Sequence, residues 1–115
     1  MKRTKNAVID AAEKLGWTVR FGTDESPINP GRVDKWVEFE GYSPAGENLC
    51  FTEFYRTLSD IPHGLGERFT DFDPDEHAAG WYGKNNGEPS SLRELLEDAE
   101  AIGKMIWDLA EALSA

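Results

Sequence analysis

The sequence predicts a single α+β domain over residues 1–115, in which an N-terminal helix precedes a three-stranded antiparallel sheet and two or three C-terminal helices pack on that sheet. Two observations support this prediction. Between Val33 and Arg56, large apolar residues alternate with charged ones on either side of a short turn, which is typical of a β-hairpin. After Arg56 the apolar period lengthens from two to about 3.6 residues, which indicates helices.

The predicted hairpin has one strongly apolar face. Val37 and Phe39 share this face on its first strand, and Leu49, Phe51 and Tyr55 share it on the second. A two-stranded ribbon is marginally stable in water, so we expect a third strand beside it and helices over its apolar face.

The elements before the hairpin are predicted from the same two spacings of apolar residues, two for a strand and about 3.6 for a helix. Thr4 is expected to cap a first helix that ends at Gly16, because apolar residues between them recur at i, i+3, i+4 and i+7. Residues 17–21 alternate as a short strand. Residues 22–32 contain two prolines and match neither period, so they are expected to form an irregular loop.

Helix starts are predicted at two places after the hairpin. Ser59 is expected to cap a helix whose Gly64 and Gly66 each cost about 1 kcal/mol relative to alanine, so that this helix is predicted to be short or distorted. Asp73 is followed by a proline and then by Glu76, which together form a capping box at the start of the next helix.

The last helix is the longest. The preceding helix is expected to end at Gly83 and residues 84–90 to form a polar turn, after which Ser91 and Glu94 repeat the capping box. The helix then continues to about Leu113, with apolar residues at alternating spacings of three and four. This heptad seam comprises Leu92, Leu95, Ala99, Ile102, Ile106, Leu109 and Leu113.

A second apolar line adjoins the seam, so the last helix is apolar over nearly half of its circumference. One part can cover the sheet, while the rest must meet the preceding helices or a second subunit. The sequence therefore leaves homodimerisation open, through Leu95, Ile102, Ile106 and Leu109.

Composition restricts the function. The chain has 22 acidic and 12 basic residues, a formal net charge of −10, which repels nucleic acid and anionic membranes and favours encounter with basic protein surfaces. The alternative is that this charge only keeps the protein soluble.

No apolar run is long enough for a membrane span, and charges interrupt the N-terminal residues, so we expect neither a membrane segment nor a secretory signal. Cys50 is the single cysteine, which favours the reducing cytoplasm, and we expect it to be buried in its strand.

No arrangement of residues indicates a metal site, a cofactor or an enzyme. The spacing of acidic residues from Asp71 resembles a calcium loop, but its sixth residue is Glu76 instead of glycine and its twelfth is Tyr82 instead of glutamate. Cys50 and two separated histidines are too few for a zinc site. His77 and its acidic neighbours are the best acid–base set, yet adjacent helix residues point to different faces.

The candidate binding residues are acidic and aromatic. Trp36, Glu38, Glu40 and Tyr42 fall on the face of the first hairpin strand opposite Val37. Packing is the usual role of such aromatic residues, but carboxylates interleaved with aromatic rings on an exposed face suit a basic partner. With the acidic cluster, the predicted partner-binding residues are Trp36, Glu38, Glu40, Tyr42, Asp71, Asp73, Asp75 and Glu76.

Three segments carry a resemblance to known proteins: WVEFEGYSPAGENLCFTEF, FDPDEHAAGW and LLEDAE. They resemble a group of small acidic proteins, mostly uncharacterised, from phages and mobile elements of gut bacteria. The likeness covers about residues 33–113 and implies no active site, because its motifs are a hairpin turn and helix caps. The order of elements and the charge also resemble acidic anti-CRISPR inhibitors, which occupy the DNA-recognition groove of an RNA-guided nuclease. Double-stranded RNA-binding domains share the order, but their lysines have no counterpart here.

These resemblances imply a non-enzymatic inhibitor that mimics nucleic acid and blocks a basic site on a host protein. The alternative is a structural or assembly protein that homodimerises through its heptad helix.

Overall fold

The structure, a computed structural model, describes residues 4–26, 28–81 and 91–114. The predicted α+β fold is confirmed: one helix precedes three antiparallel strands, and three C-terminal helices follow where two or three were predicted. The predicted helix end at Gly83 and the polar turn at 84–90 lie outside the described residues. The elements are α1 (Lys5–Lys14), β1 (Thr18–Glu25), β2 (Val33–Tyr42), β3 (Asn48–Tyr55), α2 (Asp60–Asp71), α3 (Pro74–Trp81) and α4 (Leu92–Ser114). Among the helices it describes, none is both long and apolar enough to cross a membrane.

The sheet has the order β1-β2-β3, so β2 is the central strand. The first strand was predicted too short: β1 ends at Glu25, and its residues from Gly22 onward, predicted as loop, pair with the beginning of β2. These residues have little strand propensity of their own. They are extended because β2 offers backbone partners along its whole length, which composition does not reveal.

The sheet has a covered face and an open face. On the covered face, Val37 and Phe39 are 0% exposed beneath α1, α2 and α4, which contribute buried residues such as Leu109 to the same core. On the open face, Tyr42 is 65% and Phe54 62% exposed. All large, fully buried side chains are therefore on one side of the described sheet or in the helices that pack there.

Three predicted helix caps are confirmed. Thr4 Oγ1 accepts a hydrogen bond from the amide three residues later at 3.1 Å, and Ser91 Oγ accepts one from the Glu94 amide at 3.1 Å. Asp73 Oδ1 accepts one from the Asp75 amide at 3.0 Å. Each bond satisfies a backbone donor that has no partner within the first turn of its helix.

The predicted cap at Ser59 is wrong. Its side chain makes no capping hydrogen bond, and its backbone is already helical. The next residue stabilises this turn instead, since Asp60 Oδ2 accepts from the Thr57 amide at 3.0 Å and from the Arg56 amide at 3.1 Å. These two hydrogen bonds favour the ionised carboxylate and lower the pKa of Asp60 below its usual value.

α2 is neither short nor distorted, contrary to the expectation from its two glycines. It is a 12-residue helix whose Ile61 and Leu65 are both 0% exposed. Burial of these side chains against β3 and α4 outweighs the low helix propensity of Gly64 and Gly66, because most helical stability in proteins comes from packing.

The two glycines of α2 are expected to respond differently to alanine. Gly66→Ala should raise the free energy of unfolding by about 1 kcal/mol, because no described atom outside the adjacent helix backbone lies within 4 Å of the added Cβ and alanine favours the helix. Gly64→Ala is the matched change, but its Cβ would lie 2.6 Å from Glu53 Oε1, in a carboxylate that Arg68 also binds. It should therefore gain less than Gly66→Ala or lose stability. Urea denaturation followed by circular dichroism measures both, and equal gains would contradict this packing.

The heptad seam of α4 is internal except at Leu92, which is 46% exposed. Leu95, Ile102, Ile106 and Leu109, the predicted dimerisation residues, are between 0% and 7% exposed within the single chain. The ridge that they form packs against the other helices and the covered face of the sheet. A second copy cannot contact them while this fold is intact. Any helix that buries one face shows similar spacings, so the pattern alone did not identify its partner.

Candidate functional site

The open face presents the four sequence-predicted residues of β2 together. Trp36, Glu38, Glu40 and Tyr42 occupy alternate positions of the central strand and share one side of the sheet, as predicted. The registers of the two outer strands place further side chains beside them. These neighbours are Arg20 and Asp24 on β1, and Asn48, Cys50, Thr52 and Phe54 on β3.

Trp36 lies flat over the first strand. Its cross-strand neighbour is Gly22, where an added Cβ would be only 2.1 Å from Trp36 Cζ2. The indole Nε1 donates to Asp24 Oδ1 at 3.2 Å, which orients the ring. The roles of Gly22 and Asp24 were not predicted, because both residues fall in the segment predicted as a loop. A tryptophan opposite a glycine in adjacent strands is the signal that would have found them.

The carboxylates of the open face are partly compensated by the chain itself. Glu38 Oε1 lies 3.0 Å from Arg20 Nη2, and Asp34 Oδ1 lies 3.3 Å from Arg32 Nε. Glu40 accepts a hydrogen bond from the Asn48 side chain at 3.4 Å. The negative charge of this face is therefore lower than its count of acidic residues suggests.

The second predicted set lies elsewhere. Asp71, Asp73, Asp75 and Glu76, here called the acidic junction, connect α2 to α3 in the helical layer that packs on the covered face. All four are exposed, and within the described residues none of them forms an ion pair with a basic side chain. The structure thus divides the predicted partner-binding residues between two surfaces, and the acidic junction has the uncompensated charge.

The turn between β2 and β3 is attached to the helices by acidic side chains. Asp98 of α4 accepts from Ser43 Oγ at 2.6 Å and from the Ala45 amide at 2.9 Å. His77 Nε2 of α3 lies 2.9 Å from Glu47 Oε2, and this pair is about three-quarters buried. His77 was predicted to act with its acidic neighbours on the helix. Its contact with Glu47 was not predicted, because Glu47 is 30 residues away along the chain.

Cys50 is exposed, contrary to the prediction that it is buried. It is paired with Glu40 across the open face, where none of the described helices covers it. Desolvation, followed by the negative charges of Glu38 and Glu40, raises the pKa of its thiol. The environment therefore disfavours the reactive thiolate.

His77 and Cys50 are on opposite sides of the sheet, so they do not form a common site. The described part of the chain contains no group of three His, Cys, Asp or Glu side chains positioned to hold a metal ion. No protein-family model matches this chain, and comparisons with curated proteins and with solved structures give no match.

Proposed function

We propose that this chain is a non-enzymatic acidic module that acts in the cytoplasm by binding a basic surface of another protein. The proposal is supported mainly by the acidic junction, because its four exposed carboxylates lack basic partners among the described residues. Exposed carboxylates of this kind can form charge-assisted hydrogen bonds with arginine or lysine of a partner. The net charge of −10 adds long-range attraction.

The proposed biological role is inhibition. Carboxylates of the acidic junction take the place of backbone phosphates in a nucleic-acid-binding site of a host protein, and the chain is encoded by a phage or another mobile element. This role follows the resemblance of the hairpin and helix-cap segments and of the overall charge to such proteins. It requires no active site in the chain.

The test is the salt dependence of partner binding. The wild-type chain, immobilised, captures its partner from an extract of the native host at low salt, and the purified partner is then titrated by calorimetry. Affinity should fall about tenfold or more between about 50 and 300 mM salt, because screening shortens the range of charge interactions to about 8 Å at physiological ionic strength. Affinity independent of salt would reject the proposal.

Pairs of substitutions that each remove two negative charges show which surface contacts the partner. Asp71→Asn combined with Asp75→Asn should weaken partner binding about tenfold, whereas Asp10→Asn combined with Glu13→Gln removes the same charge from the exposed side of α1 and should have little effect. A third pair, Glu38→Gln with Glu40→Gln, tests the open face. Equal losses from all three pairs would indicate attraction by net charge alone.

The alternative function, assembly as a homodimer, can be tested directly. Its predicted seam is buried, so it requires another surface. Light scattering at high protein concentration should show a monomer, and a stable dimer would favour the assembly role.

A further inference from the structure

An apolar groove lies next to the acidic junction, between the end of α2, the start of α3 and one side of α4. Its volume is about 510 Å³, and the residues that line it are Phe69, Phe72, Pro74, Glu100, Gly103, Lys104 and Trp107. Trp107 is 45% and Phe69 36% exposed, and their ring centroids are 5.1 Å apart. Two large aromatic side chains are thus paired at the surface of the helical layer.

Gly103 lines the groove without a side chain. It lies one turn before Trp107 on α4, and an added Cβ would be 3.6 Å from Phe72 Cδ2, which is ordinary van der Waals contact. Alanine is therefore tolerated there, whereas a longer side chain would extend into the groove. The glycine leaves room between the two helices that a side chain from outside can fill.

Acidic residues adjoin the groove. Asp73 stands between the lining residues Phe72 and Pro74, and Asp75 follows Pro74, whereas Asp71 lines a separate pocket beside His63 and Glu67. Glu100 lines the groove from α4 and forms no ion pair among the described residues. Lys104 is the basic residue on this side of α4, but its Nζ lies 2.8 Å from Asp108 Oδ2, which compensates its charge.

We infer that this groove binds an amphipathic helix with a basic polar face, supplied by the protein partner. Apolar anchors of that helix enter between Phe69 and Trp107, while its lysine or arginine residues meet the adjoining acidic residues. A second copy of this chain fits poorly, because a two-fold contact here would bring the Glu100 carboxylates and the two acidic junctions close to one another. This inference rests on the proposed function and specifies the kind of basic partner.

Two synthetic peptides test the groove directly. One has about 18 leucine and lysine residues with the leucines at helical spacing, and the other has the same composition in scrambled order, so that it carries equal charge without an apolar face. Titration by fluorescence anisotropy at low salt should give an affinity about tenfold or more higher for the amphipathic peptide. Equal affinities would overturn the groove inference.

Variants of the groove separate packing from charge. Trp107→Gln and Gly103→Met should each reduce the affinity for the amphipathic peptide about tenfold and leave that for the scrambled peptide unchanged. Gly103→Ala is the matched control and should bind as the wild type does, since its Cβ makes only ordinary contact. Circular dichroism establishes that all three variants are folded. Unchanged affinity in both folded groove variants would contradict the inference.

Failure of the proposed function gives a different experimental result from failure of the groove inference. If the native partner binds Asp71→Asn with Asp75→Asn as tightly as it binds the wild type, the acidic junction is not the contact and the proposed function fails, even where the amphipathic peptide still binds in the groove. If light scattering shows a dimer that Trp107→Gln dissociates, the occupant is a second copy and the inference is overturned.

Discussion

Replacing Phe39 with alanine is expected to lower the free energy of unfolding by about 3–5 kcal/mol. Phe39 is 0% exposed on the central strand, and its ring centroid lies 5.8 Å from that of Phe51 on the covered face. Truncation removes apolar surface from the centre of the core and leaves a cavity that the flanking strands cannot close. Urea denaturation followed by circular dichroism measures the loss.

Phe54→Ala is the matched control, because it truncates the same residue type in the same sheet. Phe54 is 62% exposed on the open face, so its loss should change stability by about 0.5–1 kcal/mol at most. A loss similar to that of Phe39→Ala would mean that the open face is buried in solution, for example by self-association. The comparison therefore tests whether the sheet has one covered and one open face.

Asp98→Ala is expected to cost about 2–4 kcal/mol and to loosen the turn between β2 and β3. It removes two charge-assisted hydrogen bonds, from Ser43 Oγ at 2.6 Å and from the Ala45 amide at 2.9 Å. Ser43 is only 5% exposed, so its hydroxyl has limited access to water as a replacement partner. Hydrogen exchange of the Gly46 and Glu47 amides should accelerate together with the loss of stability.

Asp108→Ala controls for the general effects of this substitution on α4. Asp108 pairs with Lys104, whose side chain is 74% exposed, and pairs of this kind contribute about 0.3–0.5 kcal/mol. Both variants exchange an aspartate for alanine within one helix, so the change in helix propensity is the same. If Asp98→Ala costs no more than Asp108→Ala, the attachment of the turn to α4 contributes little to stability.

Local chemistry was predictable over most of the chain. Thr4, Asp73 and Ser91 cap helices as expected, because the capping oxygen and the amide that it accepts from are two or three residues apart. The alternation of the hairpin placed Val37 and Phe39 on one face and Trp36 and Glu38 on the other, since the pleat of a strand alternates with period two.

The candidate site was predictable only in part. Sequence reasoning selected the acidic junction for its density of carboxylates, but it missed Phe69, Gly103 and Trp107 as the lining of a neighbouring groove. It also treated Cys50 as buried, although Leu49 and Phe51 on either side of it face the core. The alternation contained this information, because it assigns Cys50 to the face opposite that of Leu49 and Phe51.

Periodicity in the chain thus established the type of each element and which residues share a face, because both depend on backbone geometry over a few residues. It did not establish which face meets which neighbour. The seam of α4 became core, β1 extended to Glu25, and Asp98 reached the hairpin turn through contacts between elements far apart in sequence. Such contacts are selected by the mutual fit and burial of whole elements, which a local pattern does not encode.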